Sequence, residues 1–168
     1  FLAINPDQAG KDAAYYNWQW AGKNPPDVHY GSSPNDYSTV QAGGQAVRFI
    51  QESPETDPLL LYFSPYSVHG PMTPAPADEG TWPLEPARAI PALSEDDTSD
   101  KPRWIRNNGQ VGELKQREIL TTQHEMAMSL DDQVGLIIDA LGPRLDNTVI
   151  VFMSDNGYML GSHNITGK

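Results

Sequence analysis

The apolar positions of the chain form two stretches with the helical period. The first predicted helix begins after Ser33, which can cap it, has Pro34 at its first position and ends near Glu52. Its apolar stripe is predicted to be Tyr37, Val40, Gly44, Val47 and Ile50. A longer helix is predicted from about Glu113 to a stop at Gly142-Pro143, with a stripe formed by Leu130, Val134, Ile137, Ile138 and Leu141.

Two short continuous apolar runs, residues 59–64 and 148–153, favour strands buried on both faces. The order of helix, strand, long crossover containing a helix, and strand predicts two parallel strands of an α/β sheet. Strands of this kind leave backbone edges and apolar faces without partners. We therefore expect the remaining strands to lie outside these residues, in a longer protein.

The remaining stretches lack a sustained period. Residues 1–31 are predicted to be irregular and packed against a larger body through four aromatic side chains, Tyr15, Tyr16, Trp18 and Trp20. Residues 65–112 contain eight prolines and are predicted to be a long loop. Loops of this length are uncommon in compact domains unless they have a function, so this one is a candidate wall of a binding site.

Composition narrows the classes of function. The formal charge of −11 argues against nucleic acid or an anionic membrane as the main partner, so an anionic substrate needs local positive charge. The absence of cysteine excludes disulfides, zinc–thiolate sites and a cysteine nucleophile within the chain. No apolar run reaches the roughly 20 residues of a membrane span. Nothing in the chain is a targeting signal, so periplasmic, secreted and cytoplasmic locations all remain open.

Polar residues that could carry chemistry follow both predicted strands. His69 comes after the first strand and Asp155-Asn156-Gly157 after the second. If the strands are parallel, both lie at the carboxyl edge of the sheet, where ligands bind in open α/β folds. The carboxylate and amide oxygens suit Ca²⁺ or Mg²⁺, although a plain Asp-Asn-Gly turn is the alternative. His69 could protonate a leaving group or bind a substrate oxygen, and a loop histidine without a role is its alternative.

Two further residues are candidates for contact with an anion. Lys168 could bind an anionic oxygen as a point charge, with a solvated surface lysine as the alternative. His163 is a candidate for the same pocket, with a structural role as the alternative. The Gly167-Lys168 pair does not form a phosphate-binding P-loop, because the glycine spacing and the preceding strand are both wrong.

Several ordered segments resemble the type I sulfatases, the formylglycine-dependent arylsulfatase family. They are the runs from Leu60 to Pro71 and from Asp146 to Gly157, followed by Gly161 to Lys168. The resemblance implies an alkaline-phosphatase-like α/β sandwich with a largely parallel central sheet, of which this chain is a partial segment. Residues 1–168 would then be the central part of the catalytic domain. Its parts are the irregular stretch 1–31, α/β core elements at 33–64 and 113–157, and the loop 65–112.

The resemblance also implies roles for individual residues. Asp155 and Asn156 take the positions of metal ligands, with Ca²⁺ preferred over Mg²⁺. His69 takes the position of a catalytic and substrate-binding histidine near the leaving-group oxygen. Lys168 takes the position of a catalytic lysine that contacts the sulfate. The expected partners are a sulfate ester substrate and the remainder of the catalytic domain.

The family nucleophile is a formylglycine made from a Cys/Ser-x-Pro-x-Arg motif, and this chain contains no such motif. The chain also lacks the aspartate pair and the Gly-Lys-x-x-His segment that precede these residues in the family. We expect those elements in a longer parent, so that this chain alone is inactive. Two alternatives remain open. One is a phosphodiesterase or phosphonate hydrolase of the same superfamily, which often has Asp-His in place of Asp155-Asn156. The other is a non-catalytic α/β binding domain.

Overall fold

The computed structural model describes residues 2–5, 14–22, 28–88, 92–93 and 95–168. Its helices are Ser38–Glu52 (α1), Arg103–Arg106 (α2) and Glu113–Leu141 (α3), with 3₁₀ turns at Pro34–Asp36 and Gly142–Asn147. Its strands are Leu2–Asn5 (β1), Gln19–Gly22 (β2), Val28–His29 (β3), Met159–Leu160 (β4) and Thr166–Gly167 (β5). The chain forms two compact units: unit 1 is Phe1–Thr81 with Glu125–Val149, and unit 2 is Trp82–His124 with Ile150–Lys168.

The amino-terminal part of unit 1 is a three-stranded antiparallel sheet in the order β1-β2-β3. The prediction that residues 1–31 are irregular is therefore wrong at these three strands, and for residues 6–13 and 23–27 it lies outside the described residues. Trp18 and Trp20 are two residues apart, the spacing that places side chains on one face of a strand. The indole of Trp18 stacks on Tyr30 with ring centroids 4.2 Å apart. The prediction that Tyr15, Tyr16, Trp18 and Trp20 pack into a body is confirmed, because all four are buried.

An aromatic core holds unit 1 together. It consists of the buried residues Tyr15, Tyr16, Tyr37, Ala75 and Met126, with Tyr66, Val68 and Met72 packed against them. The rings of Tyr15 and Tyr37 stack with centroids 5.5 Å apart. Each hydroxyl donates a hydrogen bond to a backbone carbonyl, Tyr15 to His69 at 2.6 Å and Tyr37 to Thr73 at 2.9 Å. Burial raises the pKa of both phenols, so both act as hydrogen-bond donors at neutral pH.

The predicted first helix is confirmed in its body and at its end, Glu52. Its predicted start after Ser33 is wrong, because residues Pro34–Asp36 form a separate 3₁₀ turn and Tyr37, with ψ 121°, interrupts the helical backbone before α1 begins at Ser38. The Asp36 carboxylate accepts a hydrogen bond from the backbone N–H of Ser33 at 3.1 Å, which anchors that turn. The predicted apolar stripe is wrong at Val40 and Gly44, which are both exposed. The buried residues of α1 are Ser38, Thr39, Gly43, Ala46 and Ile50. The buried positions of this helix are therefore occupied mainly by small residues and not by its aliphatic ones.

Helix α3 has the predicted start at Glu113 and ends at Leu141, directly before Gly142. Gly142 has φ +52°, the left-handed conformation that ends many helices. Leu141 is buried, whereas the rest of the predicted stripe is only half-buried. Several buried positions are polar instead, among them Gln116, Glu125, Ser129 and Gln133. In the part of the chain that the structure describes, no helix is both long and apolar enough to cross a membrane.

The two apolar runs do not form the predicted buried strands. Residues 59–64 and 148–153 carry no strand assignment, and no other described segment pairs with them. Leu60 is 88% exposed, Val149 is 90% exposed and Phe152 is 85% exposed. A strand becomes regular only when a neighbour satisfies its backbone N–H and C=O groups. Within the described part of the chain, the two apolar segments therefore have no strand partners and do not form the predicted parallel sheet.

Candidate functional site

The Ser154-Asp155-Asn156-Gly157 turn is held by its own short hydrogen bonds. The Ser154 hydroxyl donates to the backbone carbonyl of Asn156 at 2.5 Å, and the Asn156 amide donates to the carbonyl of Gly157 at 2.8 Å. Because the amide nitrogen donates within the turn, the Asn156 Oδ1 oxygen is left to accept a hydrogen bond from another group. Asp155 is exposed beside it. The turn thus presents two adjacent oxygen donors, a carboxylate and an amide.

A hairpin brings Lys168 back to this turn. Strands β4 and β5 pair antiparallel, with Met159 opposite Gly167 and Leu160 opposite Thr166. Lys168 directly follows β5, and its ammonium group donates to Asn156 Oδ1 at 3.1 Å. Two residues predicted to serve one site are therefore in direct contact. The hairpin, which the apolar pattern did not predict, makes that contact.

The turn could supply part of the ligand set of a hard divalent cation. Ca²⁺ takes six to eight oxygens, and Asp155 and Asn156 could supply two of them. Among the described residues, no group of three or more His, Cys, Asp or Glu side chains could hold a metal ion. Oxygen donors without sulfur or imidazole fit Ca²⁺ or Mg²⁺ better than a transition metal.

His163 lies in the loop that joins β4 to β5. Its Nδ1 lies 2.8 Å from Glu95 Oε2, and Lys101 Nζ lies 3.1 Å from Glu95 Oε1. The hydrogen bond with His163, followed by the one with Lys101, holds the pKa of Glu95 below its usual range. Glu95 and Lys101 are not among the residues predicted from the sequence. They lie in an acidic stretch of the proline-rich loop, where spacing gives no sign of a contact with His163.

His69 belongs to unit 1 and is anchored through its backbone. Its carbonyl accepts the Tyr15 hydroxyl and its N–H donates to the Tyr66 carbonyl at 2.9 Å. The imidazole is exposed, lies 4.8 Å from the Tyr66 ring and has Nδ1 at 2.6 Å from the Gly70 carbonyl. Since a carbonyl only accepts, Nδ1 carries the proton and Nε2 is left for another partner. The other four candidate residues, Asp155, Asn156, His163 and Lys168, belong to unit 2.

Comparison with known proteins identifies the class. The sulfatase family model matches residues 5–168, and the chain therefore belongs to the sulfatase family. A family match of this extent implies the alkaline-phosphatase-like α/β fold for the protein as a whole. No solved structure gives a significant match to the chain.

Among curated relatives, the chain is similar to an uncharacterized sulfatase, YidJ, of Escherichia coli (strain K12), with 28% identity over 130 residues. It is also similar to the arylsulfatases of Chlamydomonas reinhardtii, at 33% identity, and Volvox carteri, at 29% identity. These alignments cover 74%, 68% and 61% of the chain, respectively. They cover 26%, 18% and 18% of the relatives, so the chain spans about a quarter or less of their length.

Proposed function

We propose that this chain is the calcium-binding and sulfate-contacting part of a sulfuric ester hydrolase. The observation that carries the proposal is the hydrogen bond between Lys168 and Asn156 Oδ1. It joins a cation to a candidate metal ligand in a chain whose net charge is −11. Family membership supports a hydrolase parent, and the names of two relatives support an aryl or related sulfate ester as its substrate class.

Lys168 is suited to hold a sulfate oxygen. Its ammonium group has three N–H donors, and Asn156 occupies one of them. The side chain is exposed, so the other donors can reach an anionic oxygen without a desolvation cost for a buried charge. Contact with Asn156 restricts the long side chain to the turn, which places positive charge beside the candidate metal ligands.

Asp155 and Asn156 are proposed to hold Ca²⁺ together with ligands from the remainder of the catalytic domain. When bound, the ion supplies a Lewis acid that polarises a sulfuryl oxygen. Lys168 then donates to the same group and offsets charge that develops during ester cleavage. The chain has no Cys/Ser-x-Pro-x-Arg motif, so none of its residues provides the family nucleophile.

His69 is proposed to assist departure of the alcohol. With Nδ1 donating to the Gly70 carbonyl, Nε2 is the nitrogen available to substrate. In the protonated imidazole, Nε2–H can give its proton to the leaving oxygen. The anchoring of the His69 backbone by Tyr15 and Tyr66 supports a fixed position for this group.

Calorimetric titration of the protein with CaCl₂ tests the metal assignment. We expect weak saturable binding, with a Kd on the order of 10⁻⁴ to 10⁻³ M because only part of the ligand set is present. Asp155→Ala should weaken it by about tenfold or more, whereas Asp146→Ala, an exposed aspartate of the preceding 3₁₀ turn, should not. Equal binding by both variants would contradict the assignment.

A second titration separates metal binding from sulfate binding. Lys168→Ala removes a cation that competes for Asn156 Oδ1, so Ca²⁺ binding should be retained or strengthened while binding of inorganic sulfate is lost. Lys115→Ala, an exposed lysine on α3, serves as the charge-matched control and should change neither. Loss of Ca²⁺ binding in Lys168→Ala would instead show that Lys168 supports the turn structurally.

Turnover tests the reaction class. In a polypeptide that carries this chain within a complete sulfatase domain, an aryl sulfate should be hydrolysed in preference to the matching aryl phosphate. Asp155→Ala and His69→Ala should each lower that turnover by about 10²-fold or more. Preference for the phosphate would favour the phosphodiesterase or phosphonate hydrolase alternative, and turnover of neither ester would favour the binding domain.

A further inference from the structure

One segment of the proline-rich loop is bound to the turn of the β4–β5 hairpin. The backbone N–H of His163 donates to the Ala92 carbonyl at 2.9 Å, and Leu93 forms an antiparallel bridge with Ser162. Gly161, with φ +101°, lies so close to Leu93 that a Cβ there would sit 2.5 Å from the leucine Cδ1 atom. The loop is therefore part of the structure that presents His163.

The backbone at His163 is constrained as well. His163 has φ +53° and the following residue, Asn164, has φ +59°. Left-handed conformations of this kind are strained for non-glycine residues and persist where surrounding contacts determine them. Asn164 is buried and its N–H donates to the Gly161 carbonyl at 3.0 Å. The turn thus fixes the Cα–Cβ direction of His163, and contacts of the side chain set the orientation of its ring.

Glu95 contacts that ring with one oxygen and a cation with the other. Its Oε2 atom is 2.8 Å from His163 Nδ1 and its Oε1 atom is 3.1 Å from Lys101 Nζ. Lys101 also contacts Asp100 Oδ2 at 2.7 Å, so one cation serves two carboxylates. Among the described residues, these are the charged groups that face His163 directly or through Glu95. An ionised carboxylate only accepts hydrogen bonds, so His163 Nδ1 must carry a proton.

We propose that Glu95 is a positioning residue for His163, holding its ring with Nδ1–H on the carboxylate so that Nε2 is the nitrogen presented to the sulfate ester. This inference rests on the proposed function and extends it to His163, which the sequence predicts to contact the same anionic group as Lys168. A sulfate ester oxygen is an acceptor, so it binds the protonated ring through Nε2–H while Glu95 compensates the charge on Nδ1–H. Lys101 offsets the negative charge of Glu95 that would otherwise repel the anionic substrate.

The tautomer of His163 is the direct test. In ¹⁵N-labelled protein at about pH 8.5, where an ordinary imidazole is neutral, the ring nitrogen shifts report which nitrogen is protonated. We expect the Nδ1–H form to dominate. Glu95→Ala should lower the ratio of Nδ1–H to Nε2–H by about tenfold, because a hydrogen bond to a charged acceptor is lost. Glu95→Asp, a shorter carboxylate, should restore part of that ratio.

Glu55→Ala, an exposed glutamate of unit 1, controls for loss of one negative charge and should leave the His163 shifts unchanged. A dominant Nε2–H form in the unmodified protein would overturn the proposal, as would a ratio that Glu95→Ala does not move. The tautomer is measured without any turnover, so this result is independent of whether the proposed hydrolase activity holds. Where turnover of an aryl sulfate is present, Glu95→Ala should raise KM by roughly tenfold and change kcat less.

Discussion

Similar side chains form the aromatic core of unit 1 and the apolar segments at residues 59–63 and 149–153. The core is buried, whereas the segments are largely exposed. Tyr37 is fully buried, whereas Tyr62, also an aromatic residue, is 87% exposed. The difference does not lie in hydropathy. Tyr37 lies against the rings of Tyr15 and Tyr16, and its hydroxyl has a backbone acceptor.

The comparison separates two requirements of a buried segment. Apolar side chains create the free-energy gain on burial, but backbone groups must also find hydrogen-bond partners before a strand can be buried. The aromatic core meets the second requirement through a helix, whose backbone bonds are internal, and through hydroxyl-to-carbonyl contacts. The segments at 59–63 and 149–153 need neighbouring strands, and the described residues provide none.

The largest expected effect is the difference in stability between a variant at Tyr37 and a variant at Tyr62. Tyr37→Ala should lower the free energy of unfolding by about 3–5 kcal/mol, because it removes a buried ring and leaves a cavity. Tyr62→Ala should change it by no more than about 0.5 kcal/mol, since little of that side chain leaves water on folding. Urea unfolding followed by circular dichroism measures both. Similar losses in the two variants would mean that residues 59–63 are also packed in solution.

Two glycines of unit 2 test the same contrast between a packed position and an exposed one. Gly161→Ala should destabilise by about 1–3 kcal/mol, because its positive φ is strained for alanine and the new Cβ meets Leu93 and Val111. A Cβ at Gly157, in the exposed Asp-Asn-Gly turn, would have no neighbour within 4 Å, so Gly157→Ala should be nearly neutral. Amide hydrogen exchange across β4 and β5 reports the loss. Full protection in Gly161→Ala would contradict the close contact.

Adjacent glycines of helix α1 extend the contrast to its two faces. A Cβ at Gly43 would lie 2.6 Å from Gln133 Cγ and 2.7 Å from Gln133 Cβ, whereas one at Gly44 meets nothing within 4 Å. Gly44→Ala should therefore stabilise the helix by up to about 1 kcal/mol. Gly43→Ala should destabilise by about 1 kcal/mol, since the clash exceeds the same gain in helix propensity. Thermal unfolding of the two variants should shift in opposite directions, and a common upward shift would exclude close packing at Gly43.

The smallest expected effect concerns a carboxylate beside the aromatic core. The pKa of Asp78 is raised, first by burial and then by the negative charges of Asp132 and Glu125. A raised folded-state pKa contributes stability below the unfolded value, and that contribution is lost as pH rises through the folded value. Asp78→Asn should therefore be more stable than the unmodified protein at neutral pH, with the gain shrinking on acidification. Melting curves between about pH 4 and pH 8 measure this, and Asp146→Asn controls for the lost charge.

The helices show which structural features could be read from the chain. Both bounds of α3 and the end of α1 were predictable, because a helix-ending glycine or proline and a period near 3.6 are local signals. The start of α1 was not, since Ser33 caps a separate 3₁₀ turn and α1 begins at Ser38. The buried face of α1 was not, because Thr39 and Gly43 are buried in place of Val40 where the neighbouring helix approaches closely at Gln133. Helix propensity and apolar periodicity depend on the local sequence, whereas the burial of a side chain depends on which residues pack against it.

The candidate site also has features that could be predicted from the sequence and features that could not. Local composition indicated Asp155, Asn156, His69, His163 and Lys168, and among these residues the structure shows the contact between Lys168 and Asn156. Their roles as ligands and substrate contacts stay predictions. Glu95 and Lys101 could not be found from spacing, because the contact between Glu95 and His163 joins residues 68 positions apart.

The sequence by itself determined family membership, most of the two main helices and the residue types of the candidate site. These follow from short-range order along the chain, which does not depend on distant partners. Only the tertiary structure decided which apolar residues are buried, that a hairpin returns Lys168 to Asn156, and that a loop carboxylate meets His163. Those outcomes depend on long-range contacts, whose entropic cost is met only where backbone and side-chain partners are present together.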